Sequence, residues 1–142
     1  MTIARLIDGR SGEVWCCAPT HSVREAIMLL AGHRIGALPV VEDGAVVGIF
    51  SERDVVKQLA ALGPAMLDSS VGSIMTAPAV SVEPAHGVMD ALGLMTTRRF
   101  RHLPVVDGGR MVGFVSIGDL VKYRIERIEA EAEAMRSYIQ TA

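Results

Sequence analysis

The chain has 142 residues, the size of one ordinary domain or of two very small units sharing a core. Half the residues are hydrophobic and 21% are charged, which supplies enough apolar material for a core and excludes a disordered chain. Lys and Arg number 14 against 16 Asp and Glu, a formal net charge of -2, and aromatics are only 4%; neither a basic surface nor a row of base-stacking platforms for nucleic acid is expected.

The N-terminal segment, 1–12, begins Met1-Thr2-Ile3-Ala4-Arg5. It lacks the long apolar stretch and small-residue cleavage site of a secretory signal, and no run in the chain approaches the ~18 apolar residues of a membrane span. A cytoplasmic protein with no membrane contact is expected. Next comes a β-like stretch at 13–17 containing adjacent Cys16 and Cys17. Neighbours on a strand point to opposite faces, so the two can neither share a metal nor form an ordinary disulfide. Both are expected to be small buried hydrophobes in a reducing compartment.

A helix follows. Ser22-Val23-Arg24-Glu25 has the form of a capping box, and Val23, Ala26, Ile27 and Leu30 fall on one helical face. Two strands, 38–41 and 46–50, are joined through Asp43-Gly44, which accepts the positive φ of a tight hairpin. A second helix is expected over 52–62, and a linker over 63–73 reads as a crossing segment with a short helical turn.

The chain then repeats itself. At an offset of 65, residues 36–56 and 101–121 share ten identities: Leu38/Leu103, Pro39/Pro104, Val40/Val105, Val41/Val106, Gly44/Gly109, Val47/Val112, Gly48/Gly113, Ser51/Ser116, Asp54/Asp119 and Val56/Val121. Pro19/Pro84, His21/His86 and Lys57/Lys122 keep the same spacing. The second copy, 74–124, therefore carries a β-like stretch at 79–82, a helix with Val88, Ala91, Leu92 and Met95 on one face, strands at 103–106 and 111–115 around Gly108-Gly109, and a last helix from about 117 into an extension, 125–142. The fold class is α/β, β-α-β-β-α twice. Units this small bury too little alone, so the copies are expected to pack about a pseudo-twofold axis.

Each copy places Ser-x-x-Asp where its last strand runs into a helix: Ser51 to Asp54, and Ser116 to Asp119. One reading is helix capping, with Ser as N-cap and Asp in the favourable first turn. The other is a ligand site, because a helix start offers amides to an anion and a carboxylate there can accept from a ribose diol.

With Leu-Pro-Val-Val, a Gly turn and Gly-h-h-Ser-x-x-Asp (h apolar) present in both copies, residues 10–125 resemble a tandem pair of cystathionine-β-synthase (CBS) domains, the Bateman module. The resemblance implies two clefts between the repeats for an adenosine ligand: AMP, ADP, ATP, NAD(H) or S-adenosylmethionine. It implies that Asp54 and Asp119 hold ribose, with Ser51 and Ser116 beside ribose or phosphate. Backbone and apolar groups around Ala37, Leu38, Pro39, Val80, Leu103 and Pro104 would line the adenine slots. In the second copy Arg98, Arg99, Arg101 and His102 precede Leu-Pro. Arg suits phosphate through its planar fork, and the resemblance puts the two positions before Leu-Pro, Arg101 and His102, against phosphate; Arg99 in the same cluster and Arg53 are further phosphate candidates. A solvated basic surface is the other reading of the run.

His21 and His86 read as helix-start or surface groups. No metal-binding His-Glu-x-x-His, Cys-x-x-Cys or nucleophile elbow occurs, so neither an enzyme nor a catalytic cofactor is expected. Ile125, Ile128, Ala132, Met135 and Ile139 form a 3-4-3-4 seam, readable as a coiled coil or as a face docked on the parent domain. The expectation is a stand-alone CBS-pair nucleotide sensor, homodimeric and acting through an unknown regulated partner or self-association. The alternatives are a scaffolding module with vestigial clefts and an enzyme with an unrecognised site.

Overall fold

In the computed structural model, which describes residues 2–8 and 14–141, two hairpins form where the glycine turns put them. Strand β1 (Ala37–Glu42) turns into β2 (Ala45–Ser51) through Asp43 and Gly44 at φ 53° and 83°. Strand β3 (His102–Asp107) turns into β4 (Arg110–Ser116) through Gly108 and Gly109 at 59° and 81°. Leu38 pairs with Phe50 and Leu103 with Val115, and both ladders shift register at the same step, Val40/Val41 and Val105/Val106.

The opening β-like stretches are shorter than expected. Each contracts to a single parallel bridge among the described residues, Cys17 with Val40 and Val82 with Val105; Glu13 lies outside them. Pro19 and Pro84 follow two residues later and have no amide to extend a ladder. Alternation at this bridge also corrects the cysteine reading. Cys17 is buried, its thiol pushed up to about 11 chiefly by burial, whereas Cys16 is exposed.

Helices α2 (Val23–His33) and α5 (Val88–Arg98) bury equivalent faces, Val23, Ala26 and Leu30 in one and Val88, Ala91 and Met95 in the other. The Glu25 amide donates to Ser22 Oγ at 3.1 Å; Ser22 thus supplies its half of the expected box, while Glu25 contributes only its amide. His21 and His86 accept at Nδ1 from the Ala18 and Glu83 amides at 3.0 and 2.8 Å, ordinary turn-closing bonds. Helix α3 (Glu52–Leu62) leads into a 3₁₀ turn (Gly63–Asp68) and a short α4 (Val71–Ile74).

Two apolar cores result, one per copy, and each is closed by a segment from outside its repeat. Met66, Val71 and Ile74 complete the first core; Ile3 and Leu6 of α1 (Ile3–Asp8) complete the second. The docking is the same in both. The Val71 and Gly72 amides donate to the His21 and Pro19 carbonyls at 2.8 and 2.9 Å, and the Ile3 and Ala4 amides to the His86 and Pro84 carbonyls, both at 2.9 Å. Each large apolar side chain buried this way is worth about 1.5–3 kcal/mol, which is what a bare hairpin and two helices lack. Between copies, Met111 N reaches Gly44 O at 3.4 Å, and Gly36 lies against the His102 ring.

Helix α6 (Ile117–Thr141) buries Leu120 and then runs into solvent, with every described residue from Ile125 onward exposed. The extension does not dock on its own domain, because α1 and α5 already cover the second core. No helix among the described residues is long and apolar enough to cross a membrane, and none of their His, Cys, Asp and Glu side chains group to hold a metal ion.

Candidate functional site

The end of β2 builds the site. Ser51 caps α3 through a reciprocal box: the Asp54 amide donates to Ser51 Oγ at 3.4 Å, and the Ser51 amide and hydroxyl donate to Asp54 Oδ2 at 2.9 and 3.1 Å. The other carboxylate oxygen, Oδ1, accepts from the Thr76 hydroxyl at 2.9 Å. Asp54 is 8% exposed and is the one charged group counted in the core of the described residues. The capping reading of Ser-x-x-Asp is therefore correct as far as it goes. A carboxylate offers about four acceptor positions; with three filled, one on Oδ1 stays open beside Thr76.

Thr76 reaches Asp54 because its strand-like segment pairs with β2, Ile49 and Thr76 exchanging amide-to-carbonyl bonds of 2.9 Å. Gly48 makes that approach possible. A Cβ there would sit 2.6 Å from Met75 Sδ and 2.9 Å from the Thr76 carbonyl oxygen. In the second copy the Ser116 amide donates to Asp119 Oδ2 at 2.8 Å and the Asp119 amide to Ser116 Oγ at 3.1 Å. The counterpart of Gly48, Gly113, faces Ile7 of α1, with a Cβ 3.1 Å from Cγ2.

Asp54 and Thr76 open onto a cleft of about 550 Å³, within the size range of small-molecule sites. The first copy contributes Gly36, Ala37, Ile49 and Ser51 through Asp54; the second copy adds Pro78, Ala79 and Val80 from its opening stretch and Arg98 through His102. Of the residues expected at a site, Ala37, Ser51, Arg53, Asp54, Val80, Arg99, Arg101 and His102 are brought together here. Leu38, Pro39, Leu103 and Pro104 are not. All four are buried, Leu38 and Leu103 inside the two cores opposite Phe50 and Val115. Ser116 and Asp119 stand at the symmetry-related helix start, outside this cleft. Thr76, Ile49, Glu52, Pro78, Ala79 and Phe100 were missed by sequence reasoning; the signal for Thr76 was Gly48, a glycine inside a strand pattern.

The cleft is electrostatically divided. Glu52, Arg53 and Asp54 stand at the first copy's helix start, while Arg98, Arg99 and Arg101 come from the second. Arg99 closes α5 in the left-handed region at φ 60°, as Arg34 closes α2 at 54°. Glycine is the unstrained choice at such a C-cap, and both copies carry arginine there instead. His102 stacks on Phe114 at 5.5 Å, and burial pushes its imidazole below the ordinary range; Asp119 and Glu52 oppose that and Arg101 adds to it. The equivalents of Val80 and Arg98 are Trp15 and His33, whose rings stack on each other at 3.7 Å, so the two sides of the molecule are chemically unlike.

The sequence profile of the CBS domain matches residues 11–61 and again 71–126. The chain belongs to the CBS-domain family. This CBS pair is 36% identical over 132 residues to the CBS domain-containing protein CBSX3, mitochondrial, of Arabidopsis thaliana. The match covers 89% of the chain but 64% of the plant protein, so the chain spans less than two thirds of that relative's length. The CBS-domain containing protein ATU1752 from Agrobacterium tumefaciens has the same fold, with a TM-score of 0.82 and 41% identity over 87% of this chain and 99% of that one. CBSX2, solved in complex with AMP, gives a TM-score of 0.70 and 29% identity over 80% of this chain and 89% of its own.

Proposed function

We propose that this CBS pair is a non-catalytic, cytoplasmic regulatory sensor that binds an adenine nucleotide (AMP, ADP, ATP or NAD(H)) in the cleft headed by Asp54. It works as a homodimer and passes its state to a regulated protein or to its own assembly. The observation that carries the reading is the juxtaposition of Asp54 and Thr76 with Arg98, Arg99, Arg101 and His102 across one cleft. One ribose hydroxyl donates to the open position on Asp54 Oδ1, and its neighbour donates to Thr76 Oγ1, which is itself a donor to Asp54. Ile49, Ala37 and the Pro78–Ala79–Val80 run form the apolar slot for the base. The guanidinium groups take phosphate, where paired N–H donors and charge act together. The AMP complex of the related CBSX2 supports the ligand class. The symmetry-related pair Ser116 and Asp119 is proposed as the ribose end of a second cleft.

Native mass spectrometry of the purified protein is expected to show a co-purified adenosine ligand. In titrations, Arg101→Ala is expected to weaken AMP much more than adenosine. Equal losses for the two would remove Arg101 from the phosphate site, and no thermal shift with any adenine nucleotide would refute the function.

A further inference from the structure

We propose that the second half of α6 pairs with the same segment of another copy of this chain as a parallel two-stranded coiled coil. The seam is Val121, Ile125, Ile128, Ala132, Met135 and Ile139, spaced 4-3-4-3-4. That is an a/d alternation, with Ile125, Ala132 and Ile139 at a and the others at d. The stripe lies open: Val121 is 42% exposed, Ile125 49%, Met135 61% and Ile139 67%, although Leu120 beside Val121 is fully buried in the second core.

Charge selects both the occupant and the direction. In a parallel pair each g residue faces the e residue five positions later on the other helix. Arg124 then faces Glu129 and Glu131 faces Arg136, and the twofold axis repeats both contacts. An antiparallel pair that buries the same six residues sets Ile125 against Met135 and Ile128 against Ala132. Its flanks then oppose Lys122 to Arg136, Glu129 to Glu129 and Glu131 to Glu131, all like charges, and leave Arg124 opposite Tyr138. The segment is thus complementary to itself in one orientation only, which fits a second copy. The pairs already present within the helix, Arg127 with Glu131 at 3.8 Å and Arg136 with Glu133 at 2.8 Å, are solvent-exposed; such pairs contribute little and do not oppose re-pairing. The inference concerns the extension alone and stands whether or not the cleft binds nucleotide.

The test uses the full chain with Cys16→Ser, so that no exposed thiol competes. Met135→Cys, at d, is oxidised beside Ala134→Cys, which lies off the seam. The parallel pair predicts a disulfide-linked dimer forming at least about tenfold faster from Met135→Cys. Adding Glu131→Arg is expected to slow that reaction about tenfold, and adding Arg136→Glu as well to restore it, with helix content by circular dichroism unchanged throughout. Equal rates for the two cysteine positions would overturn the pairing. Rapid linkage only in a mixture of Ile125→Cys and Met135→Cys chains would overturn the parallel direction.

Discussion

Replacing Asp54 with asparagine is the sharpest test of the ribose assignment, because the structure says what the amide can keep. Set with its oxygen in the Oδ2 position, the introduced side chain still accepts from the Ser51 amide and hydroxyl. Its NH₂ then faces Thr76, whose hydroxyl must turn to accept rather than donate. The reverse setting would leave the Ser51 amide facing a donor, so the first is favoured. The fold loses a charge at a helix start and one charge-assisted bond, about 1 kcal/mol, or about 2–4 °C in melting temperature for a chain of this length. The ligand loses an ionised acceptor for a ribose hydroxyl, about 1.5–3 kcal/mol, or roughly ten- to hundredfold in affinity. At about a hundred times the wild-type Kd, nucleotide stabilises by roughly 2.7 kcal/mol, a shift of about 5–11 °C. At the same concentration the weakened sites give about 1.4 or 0.4 kcal/mol, shifts of about 3–6 °C or 1–2 °C. Thermal melts with and without AMP read all of this, and the double variant with Asp119→Asn is expected to lose nearly the whole shift. A cooperative Asp54→Asn melt with an undiminished AMP shift would refute the assignment.

Gly48→Ala places a methyl group against Met75 Sδ and the Thr76 carbonyl. It is expected to cost about 1–3 kcal/mol in denaturant unfolding and to weaken AMP binding by displacing Thr76; unchanged stability would contradict the close approach. Arg99→Gly relieves a left-handed backbone position, so it should raise the ligand-free melting temperature, by about 0.5–1 kcal/mol in stability, while lowering affinity for AMP more than for adenosine. Equal losses for both ligands would show that the side chain does not face phosphate. His102 has its folded pKa lowered by burial from the ordinary 6.5, so the unfolded chain takes up its proton first as the pH falls. The stability due to its neutral form is full above about pH 6.5 and is lost as the pH drops through the folded value. Between about pH 7.5 and 5 the ligand-free wild type should therefore lose more melting temperature than His102→Gln; parallel curves would argue against it.

Features written in neighbouring residues were legible in the sequence. The hairpin turns at Asp43-Gly44 and Gly108-Gly109, the span of α3 and the Ser51–Asp54 box each depend on a few consecutive positions and appear as read. The duplication exposed the second copy at once. What was hidden depends on contacts the pattern does not encode. Thr76 lies 22 residues from Asp54 in sequence and reaches it across a linker. Helix α1 has six residues, too few for a periodicity, and it belongs to the core of the copy farther away in sequence. Leu38 and Leu103 belong to the ligand motif, yet strand geometry turns their side chains into the two cores, a packing that the motif alone does not reveal. The second helix of the second copy shows the opposite limit. Its start at Ile117 was clear, but the exposed course of its last seventeen residues depended on which surfaces α1 had already taken.

The division of the Asp54 cleft between copies bears on inheritance. Asp54 is encoded before the linker, while Thr76 and the guanidinium groups of Arg98, Arg99 and Arg101 are encoded after it. A recombination event in the linker would therefore join the Asp54 wall of one lineage to the Thr76 and arginine wall of another. Neither parent's pocket would survive intact, although every hairpin and helix would still be specified. Ligand preference in such a chain is a heritable property of the combination of halves, and a substitution in either half alters a pocket whose remaining walls descend through the other.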